Sequence, residues 1–121
     1  MTDKQKIFSI LCNHYCSVMD GWVPYPSTII HKHMPNLSLY KVRKLLRELK
    51  SDGFIKSSLY VETGEDLDRP ILVRGYEITK KAFDTPEYEQ AWEAEREACK
   101  NCFHFDIGPA PISEEDEWVD L

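Results

Sequence analysis

The chain has 121 residues, 42% of them apolar and 30% charged, which suits one domain with a short appendage and excludes a multidomain enzyme. That usage is far from the hydrophobe-poor composition of a disordered chain, so a packed core is expected. No apolar run approaches the roughly 20 residues that cross a bilayer, and the start of the chain is polar without an apolar signal segment, so a cytoplasmic protein is expected.

The net charge of −6 is divided unevenly. Residues 1–81 hold 9 Lys and 4 Arg against 9 acids, a balance of +4, while residues 82–121 hold two cations against 12 acids, a balance of −10. A partner feels local potential within a Debye length, so the first two-thirds can face a polyanion and the last third cannot.

Residues 4–19 place Ile7, Phe8, Ile10, Leu11, Tyr15, Val18 and Met19 at helical spacing, with Thr2 or Asp3 as the cap. Asp20-Gly21 stops that helix, and the prolines of Trp22-Val23-Pro24-Tyr25-Pro26 predict an extended or turning connector. Ser27 is the expected N-cap of a short helix from Thr28 to His33 or Met34, ended by Pro35. Ser38 then caps a helix from Leu39 to Lys50, with Leu39, Val42, Leu45, Leu46 and Leu49 on one face and a basic opposite face. Gly53 suits the left-handed residue after that helix.

The period changes at Phe54. Phe54-Ile55 with Leu59-Tyr60-Val61, and then residues 71–78, predict two antiparallel strands around the polar loop 63–70. Thr85 and Pro86 open a last helix running to about Phe103, with Tyr88, Ala91, Trp92, Ala98, Cys99 and Cys102 at helical spacing. That stripe needs cover from the first helix or from another subunit. The acidic end, Ser113 to Leu121, carries Trp118 among its carboxylates and suits a short tail that competes for a basic face or docks on a basic partner.

Two helices joined by a three- or four-residue turn, the second basic outside, followed by a hairpin, form a helix-turn-helix pattern. Residues Leu39 to Ile55, ending Leu49-Lys50-Ser51-Asp52-Gly53-Phe54-Ile55, and the returning Tyr76-Glu77-Ile78-Thr79 resemble the winged helix-turn-helix superfamily, and more loosely MarR-type and PadR-type bacterial regulators. The resemblance covers roughly residues 5–82. It implies an α+β fold of three helices plus a two-stranded β-hairpin wing, here with an additional C-terminal helix, and binding of double-stranded DNA as a dimer. The domain is expected over 1–82, the amphipathic helix, for packing or dimerisation, over 83–105, and the acidic tail over 106–121.

The DNA-binding residues so implied are Ser38, Tyr40, Lys41, Arg43, Lys44, Arg47, Lys50 and Arg74, with Lys41, Lys44 and Lys50 neutralising phosphates and Arg43 or Arg47 reading bases. Two features depart from the family pattern. The loop tip is acidic at Glu65, Asp66 and Asp68, and so is the chain end. They favour an alternative, a phage or mobile-element protein that acts on a host factor through protein contacts.

Cys12 and Cys16 share one helix face, as do Cys99 and Cys102, so packing of the two helices would bring four thiols to one place, as in a zinc site, although no knuckle turn is present. The plainer reading is small apolar side chains in the core, and no cofactor is expected. The histidines are scattered and expected on partly exposed positions. No Ser/His/Asp set, phosphate-binding glycine loop, HExxH or paired-carboxylate spacing occurs, so an enzyme is not expected.

Overall fold

The computed structural model describes residues 1–17, 23–62 and 68–103, the last three of these by backbone alone. Four helices and a small antiparallel sheet make an α+β fold: α1 (Asp3–Cys16), β1 (Tyr25–Pro26), α2 (Ser27–Lys32), α3 (Leu39–Ser51), β2 (Ile55–Glu62), β3 (Ile71–Ile78), a 3-10 turn (Lys80–Asp84) and α4 (Pro86–Phe103).

Local chemistry accounts for the helix starts. Thr2 closes a capping box with Gln5: its hydroxyl accepts from the Gln5 amide at 3.1 Å and its amide donates to Gln5 Oε1 at 2.8 Å. Ser38 accepts from the Lys41 amide at 3.1 Å, as expected for α3. Thr85 accepts from the Tyr88 amide at 3.3 Å and opens α4. α1 ends at Cys16, earlier than the expected 19, and the residues that follow it, 18–22, lie outside the described ones.

Ser27 does not cap α2. The helix begins on Ser27 itself and the cap position is Pro26, whose side chain makes no capping bond. Ser27 is buried and its hydroxyl accepts from Arg43 Nε at 3.3 Å, so a contact sixteen residues away takes the oxygen that local capping would have used. The α2–α3 connection is also longer than three or four residues, covering 33–38. His31 Nε2 bonds the Leu37 carbonyl oxygen at 2.7 Å and spans it.

The sheet has three strands in the order β1-β3-β2 rather than the expected two. Tyr25 pairs with Tyr76 and Pro26 with Gly75, so the proline connector is partly a strand. Gly75 makes this possible: a Cβ there would stand 2.5 Å from Pro24 Cβ and 2.7 Å from its carbonyl atoms. β2 and β3 pair without a bulge from Ile55–Ile78 to Glu62–Ile71. One face therefore carries Ile55, Ser57, Leu59, Val61, Leu72, Arg74, Tyr76 and Ile78, the other Lys56, Ser58, Tyr60, Glu62, Ile71, Val73, Gly75 and Glu77.

The core is one cluster drawn from every helix and the base of the hairpin: Ile7, Phe8 and Leu11, Ile30, Val42, Leu45, Leu46 and Leu49, Ile55 and Ile78, Phe83, Tyr88 and Ala91. Each large apolar side chain buried this way contributes on the order of 1.5–3 kcal/mol before entropy is counted. α4 packs against α1, with Tyr88 buried and its ring 4.8 Å from Phe83 and 6.1 Å from Tyr15. Of the stripe of the last helix, Tyr88, Ala91 and Cys99 are thus buried within the chain, Trp92 is half-buried and Ala98 is exposed. Leu39, expected on the buried stripe of α3, is half-buried.

Gly75→Ala tests the third strand. The added methyl meets backbone atoms that cannot swing aside, so urea unfolding should show a loss of about 1–3 kcal/mol. An unchanged midpoint would place Pro24 elsewhere.

Candidate functional site

α3 has two unlike faces. At about 100° per residue, Tyr40, Lys44, Arg47 and Ser51 stand opposite the buried Val42, Leu45, Leu46 and Leu49. Tyr40 is 71% exposed, so it does not pack into the core. Lys41 and Glu48 occupy one flank of the helix and Arg43 and Lys50 the other.

The two flanks are tied differently. Glu48 lies 3.8 Å from Lys4 Nζ, whose main partner is Asp52 at 2.7 Å. The Asp52 hydrogen bond holds the Lys4 ammonium above its ordinary pKa, with the nearby charges of Asp52 and Glu48 adding. The α3 carboxylate is thereby matched to a cation on α1, and the outward Lys44 and Arg47 are left as the charge of that surface. On the other flank Arg43 reaches back to Ser27, and Lys50 Nζ donates to Ser57 Oγ at 3.1 Å.

Ser57 joins the helix to the hairpin. Its hydroxyl also accepts from Arg74 NH1 at 3.2 Å, so one oxygen with two lone pairs holds a cation from α3 and a cation from β3. Strand alternation puts Arg74 and Ser57 on the same sheet face and sends Glu62 and Glu77 to the other. Glu77 accepts there from Ser58 at 3.0 Å and lies 3.6 Å from Lys56. The result is a cationic band, Lys44, Arg47, Lys50 and Arg74, with Glu62 and Glu77 on the other face of the hairpin.

Of the eight residues expected to contact DNA, Tyr40, Lys41, Lys44, Arg47, Lys50 and Arg74 are exposed along α3 and the hairpin. Ser38 is exposed but has its hydroxyl committed to the cap, and Arg43 has its Nε committed to Ser27. Ser57 escapes the sequence reading, which gives Ser27 a capping role, because an isolated serine acquires a partner such as Arg43 or Lys50 through tertiary contact alone. Strand parity gives a faint signal for Ser57, since it shares a face with Arg74. Glu65 and Asp66 of the acidic tip, the tail from 104 onward and Trp118 lie outside the described residues.

The three described histidines are bonded rather than idle. His14 stacks on Tyr25 with ring centroids 4.0 Å apart and bonds the Val23 carbonyl oxygen, and His33 Nε2 lies 3.0 Å from the Tyr25 hydroxyl. They clasp the short strand between α1 and α2. Cys12 and Cys16 are buried thiols on α1, and Cys99 is buried on α4 with Sγ 4.0 Å from Glu95 Oε1. Burial pushes the Cys12 thiol far above its ordinary range, with Cys16 and Glu87 adding, and burial with Glu95 pushes Cys16 up to about 12. Among the described residues no group of three or more His, Cys, Asp or Glu could hold a metal ion, and the side chain of Cys102, the fourth cysteine of the zinc alternative, is not among those described.

A cleft of about 260 Å³ lies behind α3, lined by Phe8, Leu49 and Phe54 together with Lys4, Asp52 and Glu87. No described helix is long and apolar enough to cross a membrane. Comparison with protein-family models, curated proteins and solved structures finds no match for this chain.

The thiol shifts predict chemistry. A raised pKa keeps a thiol protonated through the window in which an unfolded thiol, near 8.5, ionises. Between pH 8 and 10, Cys12 and Cys16 should therefore alkylate far more slowly in the folded protein than in the urea-unfolded protein, whose thiols ionise in that window. Mass-spectrometric mapping reads this residue by residue. Folded-state labelling as fast as that of the unfolded protein would show the thiols to be accessible and ionised.

Proposed function

We propose that the chain is a small non-enzymatic regulator that binds double-stranded DNA as a winged helix-turn-helix module, with α2 and α3 as the helix-turn-helix and β2–β3 as the wing. The observation that carries this reading is the cationic band from α3 to the hairpin, joined at Ser57. Such a band neutralises phosphates along a duplex and releases condensed counterions, which supplies most of the sequence-independent affinity.

The roles within the band follow from position. Arg47 and Lys44, farthest from the core, enter the major groove with Tyr40 beside them, and Arg47 has the planar fork that suits a guanine edge. Lys41, Lys50 and Arg74 lie on the margins and contact phosphates. Arg43 moves from base reader to positioning residue, because its bond to Ser27 fixes α3 against α2. Cations committed to a serine hydroxyl keep their charge and lose side-chain freedom, which lowers the entropy cost of meeting a phosphate.

A second reading has its own observation. Leu59, Val61 and Leu72 are exposed together on the hairpin face that carries Arg74, at 58%, 59% and 70%. An apolar strip beside a basic band suits a protein that binds a host factor, and salt dependence separates the two readings.

Fluorescence anisotropy with random duplex DNA across a salt series tests the proposal. Binding should weaken with salt, with a slope of about −0.9 for each phosphate neutralised. Lys44→Ala/Arg47→Ala should cut affinity at least about tenfold and shallow the slope by about two, and Arg74→Ala by about one. No binding at low salt, or binding indifferent to the double substitution, would remove α3 as a DNA-contacting helix.

A further inference from the structure

The two edges of the sheet are built differently. The β1 edge is two residues long, preceded by Pro24 and ending on Pro26, an arrangement that discourages further pairing. The β2 edge runs for eight residues with no proline and no bulge, and among the described residues no strand lies beyond it. In an edge strand every second residue directs its N–H and C=O outward, ready to pair with another strand.

We propose that β2 is a self-association edge, through which two copies of this chain join antiparallel into one six-stranded sheet, with Leu59 meeting Leu59 of the second copy at the two-fold axis. The occupant is a second copy because the strand is complementary to itself. In that register Lys56 stands opposite Glu62 of the second copy and Glu62 opposite its Lys56, giving two opposed charge pairs on one face. On the other face Ser57 stands opposite Val61 and Leu59 opposite Leu59, so part of the exposed apolar strip is covered.

Neighbouring registers lose this match. Moving the axis to Ser58 sets Lys56 against Tyr60 and leaves Glu62 without an opposite residue in the strand. Moving it to Tyr60 sets Glu62 against Ser58 and leaves Lys56 outside the paired segment. A two-fold axis perpendicular to the sheet also keeps like faces together, so both α3 helices fall on the same side of the combined sheet. The association uses neither α4 nor the cationic side chains of α3, and it stands whether or not the chain binds DNA.

Sedimentation equilibrium over a range of protein concentrations reads the association directly. Wild type should dimerise. Glu62→Lys, which faces Lys56 of the second copy with a like charge, should raise the dimer dissociation constant about tenfold or more. Lys56→Glu/Glu62→Lys should bring it back toward the wild-type value. Circular dichroism checks that each variant is folded. Independently, Leu59→Cys should oxidise to a dimer whose bridge maps to position 59 on both chains, since opposed residues in an antiparallel pair lie about 4.5–5.5 Å apart at Cα, within disulfide reach. A wild-type monomer at every concentration, a dimer indifferent to Glu62→Lys, or a double exchange that fails to restore it overturns the proposal.

Discussion

The turn that ends α3 is the constraint on which the rest depends. A helix leaves its last carbonyls without partners; here the amides of Asp52, Gly53 and Phe54 bond those of Glu48, Lys50 and Leu49, and other elements bond the carbonyls of the turn itself. Gly53 takes φ 86°, a conformation costly for a residue with a Cβ. The Thr79 hydroxyl donates to the Gly53 carbonyl at 2.6 Å, the Thr79 amide to the Phe54 carbonyl at 2.9 Å, and Lys81 Nζ to the Asp52 carbonyl at 2.7 Å. The same ammonium lies 4.6 Å above the Phe54 ring, and that ring packs 5.4 Å from Phe8 of α1. With Lys4 on the Asp52 carboxylate, one turn meets α1, the end of β3 and the 3-10 segment. A cation at a helix C-terminus also opposes its dipole, so the clamp is favourable electrostatically as well as geometrically.

That clamp determines where charge falls. Because α3 leaves its turn directly into β2, the direction of the helix and the parity of the strand are fixed together, and Ser57 arrives within reach of Lys50. Parity then decides the sign of each face. Arg74 shares the Ser57 face, while Glu62 and Glu77 alternate away and Lys56 follows them. A one-residue slip of β2 against β3 would exchange these sets and break the band. The buried pair Ile55 and Ile78 at the base of the hairpin resists such a slip, since it would turn Ile55 out of the core and leave Ile78 without its neighbour.

Elements whose signals are local were legible in the sequence. α3 showed its cap, its apolar stripe and its stop within fifteen residues, and Ser38 and Gly53 behave in the structure as their chemistry requires. What depended on distance was hidden. Ser27 carried the ordinary signature of a cap, yet its burial against α3 made Arg43 the better partner. β1 has too few residues to show an alternation, and its trace lies instead in Gly75, an unexplained glycine in an otherwise strand-like run. The cover for the last helix was undetermined because an apolar stripe does not name the surface it meets. The aromatic contacts of Tyr88 with Phe83 and Tyr15 supply that answer for the start of the helix.

The hairpin shows how one face can serve two ends. Near its base the face is core, with Ile55 and Ile78 buried, and its middle is polar, with Ser57 gathering two cations. Beyond that the same alternation delivers Leu59, Val61 and Leu72 to solvent, because the strands outrun the helices that would cover them. Solvation alone does not account for this pattern, since a polar residue at each of those positions would preserve the ladder and avoid the exposed area. Lys56 and Glu62, at the two ends of the same strand, discourage most incoming strands and match one of antiparallel charge order. The basic band lies where the hairpin meets α3, and the apolar strip lies farther out. Strand parity and the length of the hairpin therefore put a charged segment and an apolar segment in succession on one face.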